Sequence, residues 1–209
     1  MPLKIDELNL LNPYEYMDKE LDRFRLILVK RFKRIKLAKK GLNAVVRKVY
    51  DYLYARSNKM YLELARYYYE KAGGDKKGPD RDWLLDFLED YDFLTGYQYE
   101  PEWDRKRART YELAQSFREN KKVPDLKRPE NLLNQQVTQK SIEVVDYATI
   151  RAYKDQGVAK VKWIAIMDER TCPECEERNG KIFDIDKIPP KHYFCRCWMV
   201  PYEDRRKDT

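Results

Sequence analysis

The stretch DERTCPEC at residues 168–175, answered by KHYFCRC at residues 191–197, decides how the C-terminal part of this chain folds. Cys172-x-x-Cys175 is the spacing that lets one turn present two thiolates to one tetrahedral ion. His192-x-x-Cys195 offers the same bite with a nitrogen and a sulfur, and Cys195-x-Cys197 is a tighter pair that can also chelate. Roughly twenty residues separate the two halves, a usual span for a small zinc-closed loop. His192 is the sole histidine of the chain, and all four cysteines lie between 172 and 197. Five candidate ligands thus compete for four places. Either all four cysteines hold the ion, with His192 packed beside them, or three cysteines and His192 do; the reading leans to the four-cysteine set. Free buried cysteines or a pair of disulfide-bonded loops would make the paired spacings accidental. A structural Zn2+ contributes folding free energy on the order of 10 kcal/mol at neutral pH, enough to order a module too small for a core of its own. A catalytic zinc would keep an open position and a base nearby. Glu174 and Glu177 are at hand but read as solvated, so the zinc is expected to be structural.

Upstream of Gly157 the pattern is helical. Asn12-Pro13 reads as a helix start, followed by Leu21, Phe24, Leu28, Phe32 and Ile35 at steps of three or four up to about Lys40. Gly41 breaks the helix. The stripe resumes through Val45, Val49, Leu53, Met60, Leu64 and Tyr68 to Ala72, and Gly73-Gly74 stops it. After a polar loop at 75–79, an amphipathic helix is expected over Asp80–Tyr91, a turn at Thr95-Gly96 and extended chain at 97–100. A helix opening at Pro101 should reach Asn120. A basic linker, 121–128, precedes a helix opening at Pro129, running to about Lys154 and capped at Gln156-Gly157. Then Val161–Met167 alternates in β-branched residues and reads as a strand, with shorter strands at 181–183 and 198–200 and a turn at Asn179-Gly180. The expected fold is mainly α, an elongated helical N-terminal body with a small C-terminal zinc-stapled α+β module. The body spans 1–128; the module spans 129–209, with its zinc-binding β part at about 158–201.

Composition agrees. Charged residues make up 38% and hydrophobic ones 43% of 209 residues, with 17 tyrosines and only seven glycines. That many apolar residues argue against disorder, and scarce glycine favours helix over sheet. No apolar run is long enough to span a bilayer. The first residues lack the apolar centre of a signal peptide, so the chain is expected to fold in a reducing cytoplasm, where clustered cysteines point to metal.

One ordered string of motifs goes further. Trp163-Ile164-Ala165, Asp168-Glu169-Arg170-Thr171-Cys172-x-x-Cys175, Asn179-Gly180-Lys181-Ile182-Phe183, Pro189-Pro190 and His192-x-x-Cys195-Arg196-Cys197 together resemble the phage Mu F-like minor head protein family, over about residues 140–201. Ile150-Arg151-Ala152-Tyr153 and Gly157 look like that family's lead-in. Tyr193-Phe194 departs from it, since a proline and a small polar residue commonly follow the histidine there. The resemblance implies a non-enzymatic minor structural protein of a tailed-phage head, present in several copies. Such proteins associate with portal or major capsid proteins and act in head morphogenesis and DNA packaging or ejection. The implied location is the virion head, or the host cytoplasm during assembly.

A net charge of +7 permits contact with a polyanion. Lys30, Arg31, Lys33 and Arg34 lie in an acid-free run of residues 30–40, and Arg105 and Arg107 in a second cluster. The functional reading is double-stranded DNA held by phosphate contacts, or an acidic portal surface; the plainer one is a solvated helix face. The tyrosine-rich runs Tyr50-Asp51-Tyr52-Leu53-Tyr54 and Tyr67-Tyr68-Tyr69 cannot all point their rings inward on a helix, which suggests a protein interface. Two other functions compete with the head protein: a nucleic-acid-binding protein using the basic helices, and a zinc-stapled nuclease of the His-Asn-His type. The nuclease would need its catalytic histidine free, and the sole histidine sits within the cysteine cluster.

Overall fold

A computed structural model describes residues 13–95 and 99–203. Five long helices precede a small sheet: α1 (Glu15–Leu37), α2 (Leu42–Lys71), α3 (Arg81–Thr95), α4 (Tyr99–Glu119) and α5 (Lys127–Asp155). Strand β1 (Lys160–Ile164), the short helix α6 (Pro173–Arg178), β2 (Ile182–Asp184) and β3 (Trp198–Pro201) follow. The mainly α architecture with a small C-terminal antiparallel sheet is the one the sequence leads to.

The apolar stripe of α1 is its buried face. Leu21, Phe24, Leu28, Phe32 and Ile35 are all almost fully buried against α2 and α5, as the three-and-four spacing requires. α1 ends at Leu37, short of the expected Lys40, and Lys39 is exposed beyond it. Gly41 then adopts φ +61° as the first residue of the turn into α2, with nothing within 4 Å of where a Cβ would stand. Its glycine is needed for the backbone angle rather than for space. α2 buries Leu42, Val46, Val49, Leu53, Met60 and Leu64, and α5 lies along it.

Helix boundaries differ from the expected ones where proline was read as a start. Tyr99 and Glu100, expected in extended chain, are helical, and Pro101 lies within the first turn of α4. Likewise α5 begins at Lys127, with Pro129 inside its first turn. Proline is tolerated throughout a first turn because the N–H it lacks has no intrahelical acceptor there. α3 runs on to Thr95, four residues beyond the expected end at Tyr91, and its start is capped by Asp80 Oδ1, which accepts the Trp83 N–H at 2.9 Å. Asn12, Gly96 and residues 97–98 lie outside the described residues.

The tyrosine runs divide between interior and surface: Tyr52 and Tyr67 are exposed, while others turn inward. Tyr50, Tyr61 and Tyr68 are buried. The Tyr50 hydroxyl meets Thr110 Oγ1 at 2.7 Å, and that of Tyr68 accepts the Met17 N–H at 3.3 Å. Tyr67, on the outward side, stacks on Tyr16 with ring centroids 4.1 Å apart.

The sheet is antiparallel in the order β2-β1-β3. β1 pairs Val161 with Phe183 on one side and Trp163 with Met199 on the other. Its alternation sends Val161 and Trp163 inward, both fully buried. The strand stops at Ile164 rather than at the expected Met167. The Ala165 N–H leaves the ladder to donate to Asn179 Oδ1 at 3.0 Å, and the Ile166 carbonyl accepts from Thr171 Oγ1 at 2.5 Å. Gly157, at φ +75°, caps α5 and turns the chain into the sheet.

Two cores result. The larger unites α1 to α5; the smaller comprises Tyr153, Val161, Trp163, Ala165, Cys175, Ile185, Cys195, Cys197 and Met199. α5 feeds both, through Leu133 to Ala148 in one and Tyr153 in the other.

Leu53 is fully buried and Leu26 is 71% exposed. Leu53→Ala is therefore expected to cost about 2–5 kcal/mol and Leu26→Ala less than about 0.5 kcal/mol. Urea unfolding followed by circular dichroism reads both; equal losses would contradict the packing described.

Candidate metal centre

The loop after β1 is shaped by its own short side chains. The Asp168 N–H donates to Thr171 Oγ1 at 2.9 Å and the Arg170 N–H to Asp168 Oδ1 at 2.9 Å. This compact turn delivers Cys172 to the N-cap of α6 in extended conformation (φ −79°, ψ 154°), with Pro173 as the first helical residue. The Cys172 sulfur accepts the Cys175 N–H at 3.4 Å, which holds its thiol below the ordinary cysteine range. One turn on, Cys175 points into the small core.

The second half approaches from β3. The Cys195 N–H donates to the His192 carbonyl at 3.2 Å, closing a turn in which Phe194 takes φ +57°. The Phe194 N–H is held by Gln139 Oε1 of α5 at 2.7 Å. Across the site, Arg196 makes two bonds of 2.7 Å to the Asp168 carboxylate, which keeps that carboxyl well below the usual range. The two halves are thus joined by a bidentate ion pair as well as through the cysteines.

All five expected ligands converge. Cys172, Cys175 and His192 form one triad of donor atoms, and Cys175, Cys195 and Cys197 a second, each with its atoms within 4.8 Å of one another. Cys175 belongs to both. His192 Nε2 lies 3.0 Å from the Cys175 sulfur and 3.3 Å from that of Cys172; Cys175 and Cys195 are 3.6 Å apart. A tetrahedral ion bound at about 2.0–2.3 Å places neighbouring donors roughly 3.5 Å apart, a separation these three pairs approach; the five donors group as two triads that share Cys175 rather than as one set of four, and the cluster could hold a metal ion. The four cysteines are free thiols. His192 Nδ1 sits 2.9 Å from the Tyr193 carbonyl. A carbonyl only accepts, so Nδ1 carries the proton and the Nε2 lone pair faces the sulfurs, the arrangement of a metal-bound imidazole.

Burial pushes the Cys175 thiol up to about 12. A hydrogen bond with Cys197, together with burial, raises that of Cys195, and the same bond lowers that of Cys197. Several thiolates crowded into an apolar core need a cation to be stable there.

The centre is anchored to the helical body by side chains that no local pattern reveals. Lys191 Nζ bonds Asp146 Oδ2 of α5 at 2.7 Å and the Tyr14 hydroxyl at 3.3 Å, and also donates to the Cys197 carbonyl. Tyr14, at the start of α1, donates to the same carbonyl at 2.7 Å. Burial raises the Tyr14 phenol far above its ordinary range, keeping it a donor. Tyr14 and Cys197 are 183 positions apart, so sequence spacing carries no trace of the contact.

The basic residues are not brought to this centre. Lys30, Lys33 and Arg34 are exposed on α1. The Arg31 guanidinium lies 3.5 Å over the Tyr52 ring. Arg105 pairs with Glu102 at 2.6 Å, and Arg107 with Asp104 at 3.1 Å and Asp51 at 3.7 Å.

Among known proteins, residues 107–200 match the model of the family described as Phage Mu protein F like protein. The match bears out the family resemblance carried by the motif string and extends it upstream through α5 into α4. No curated protein and no solved structure matches the chain.

About one metal ion per chain is expected in reduced protein purified without chelator, measured by elemental analysis. Cys175→Ser, which breaks both triads, should lose it, and chelation should lower the thermal midpoint and perturb Trp163 fluorescence. Metal-free wild type that unfolds unchanged would refute the site.

Proposed function

With its Phage Mu protein F-like segment at residues 107–200 as the premise, we propose that this chain is a minor structural protein of a tailed-phage head. It docks on the portal or major capsid proteins and acts in head morphogenesis and DNA packaging or ejection. The observation that carries the reading is the family match over residues 107–200, which takes in the whole cysteine-histidine cluster. The sulfur-rich donor set fits Zn2+, drawn from Cys172, Cys175, His192, Cys195 and Cys197, which would supply folding free energy and cross-link the module. The chain's own residues do the rest. Arg196 and Asp168 align the two ligand halves, and Lys191, Tyr14 and Asp146 seat the module on the helical body. The nuclease alternative is less favoured because His192 turns one nitrogen to the sulfurs and the other to the Tyr193 carbonyl; it gains ground if the four cysteines alone hold the ion and free that ring.

Quantitative mass spectrometry of purified heads tests the proposal. The chain should co-purify at a few copies per head, with lysine cross-links to portal or capsid protein. Its presence in lysate but absence from heads would sink the reading.

One observation favours DNA as an additional ligand. Lys30, Lys33 and Arg34 are exposed on one stretch of α1 and make no ion pair with the described residues. If all three meet phosphates, the logarithm of the duplex affinity falls against the logarithm of salt with a slope of about −3. The triple Lys30→Gln, Lys33→Gln, Arg34→Gln variant should flatten that slope. An unchanged slope would place any DNA contact elsewhere.

A further inference from the structure

A groove of about 560 Å³ opens where α4, α5 and the segment 193–194 meet. Its floor is apolar, with Leu113, Pro129 and Leu132 among the lining residues. Leu132 is 46% exposed, Tyr193 70% and Phe194 44%, a concentration of open apolar surface that singly scattered residues do not produce. The rim has the opposite character. Lys106, Arg109 and Arg128 border it, and Arg109 and Arg128 are exposed, with no ion pair to the described residues. The one carboxylate lining the groove, Glu143, is already engaged by Gln139 at 2.8 Å and Lys140 at 3.3 Å.

The aromatic wall is held in place at some strain. Phe194 is a non-glycine residue at φ +57°, and its N–H is tethered to Gln139; such strain concentrates at functional positions.

We infer that this groove receives a segment of a partner protein, a peptide that sets aliphatic or aromatic side chains on the floor and carboxylates against Arg109 and Arg128. The charge of the rim selects acid and the floor selects apolar anchors. Duplex DNA would use the rim but has nothing for the floor. The inference rests on the docking role proposed above for the setting of the partner, while the groove's chemistry is measured on the isolated chain. Recovery of the chain from heads therefore stands or falls separately from peptide binding.

The test is selection of a displayed random twelve-residue peptide library on the full, metal-replete chain, followed by fluorescence anisotropy of a selected peptide. Acidic residues flanking Leu, Phe or Trp should be enriched. The Arg109→Glu, Arg128→Glu double variant should weaken binding at least tenfold, as should Leu132→Ser. Phe194→Gly removes the ring while relieving the positive φ; it should weaken binding several-fold without lowering the thermal midpoint. No acidic enrichment, or peptides that bind the double variant equally well, would overturn the inference. So would a short single-stranded or duplex DNA that displaces the peptide at tenfold lower concentration. Self-association of the chain lost in Leu132→Ser would overturn it in favour of a second copy as occupant.

Discussion

Three of the nine buried members of the small core are cysteines, and the order of the C-terminal module depends on how their sulfurs are satisfied. Strands of five, three and four residues bury too little surface to hold a sheet by themselves. The converging sulfurs and the His192 nitrogen are the module's strongest available cross-link, because a metal bound only in the folded state adds its binding free energy to folding. Everything that defines the turn geometry serves that convergence. The Asp168–Thr171 knot places Cys172, the Asp168–Arg196 pair closes the distance between halves, and the positive φ of Phe194 brings Cys195 under His192.

The metal centre and the helical body are mechanically joined. α5 contributes to both cores, and Tyr14 and Lys191 both donate to the carbonyl of Cys197 while Asp146 of α5 accepts from Lys191. Lys191 and Cys197 flank the ligand loop, so a disturbance of the ligands is felt directly at the start of α1. The loop between His192 and Cys195 also forms a wall of the groove beside α5. The candidate metal centre, the helical body and the groove are thus contiguous through α5 and the loop between His192 and Cys195.

Much of this was legible in advance. The buried faces of α1 and α2 follow from apolar residues three and four apart, since only one face of a helix can be covered. The ligand residues follow from paired spacings that are short enough to be set locally. Other features resisted. Pro101 and Pro129 marked helix starts to within two residues only, because a first turn accepts proline at several positions. Of the tyrosine runs, Tyr50 and Tyr68 turned inward to Thr110 and Met17 while Tyr52 and Tyr67 stayed on the surface; adjacent helix positions point apart, and which of them meets another helix is a matter of packing. β1 ended early because Asn179, fourteen positions away, took the Ala165 amide.

The sequence by itself determined the helical periodicity, the existence of a cysteine-histidine cluster and the family it resembles, because each is written in residues close together along the chain. The tertiary structure alone decided that Cys175 is shared by two triads, that His192 turns Nε2 to the sulfurs, and that Tyr14 reaches Cys197 across 183 positions. It also decided that basic and aromatic residues from three separate segments border one groove. Those arrangements arise where distant elements pack, and packing is set by the shapes of whole surfaces rather than by spacing along the chain.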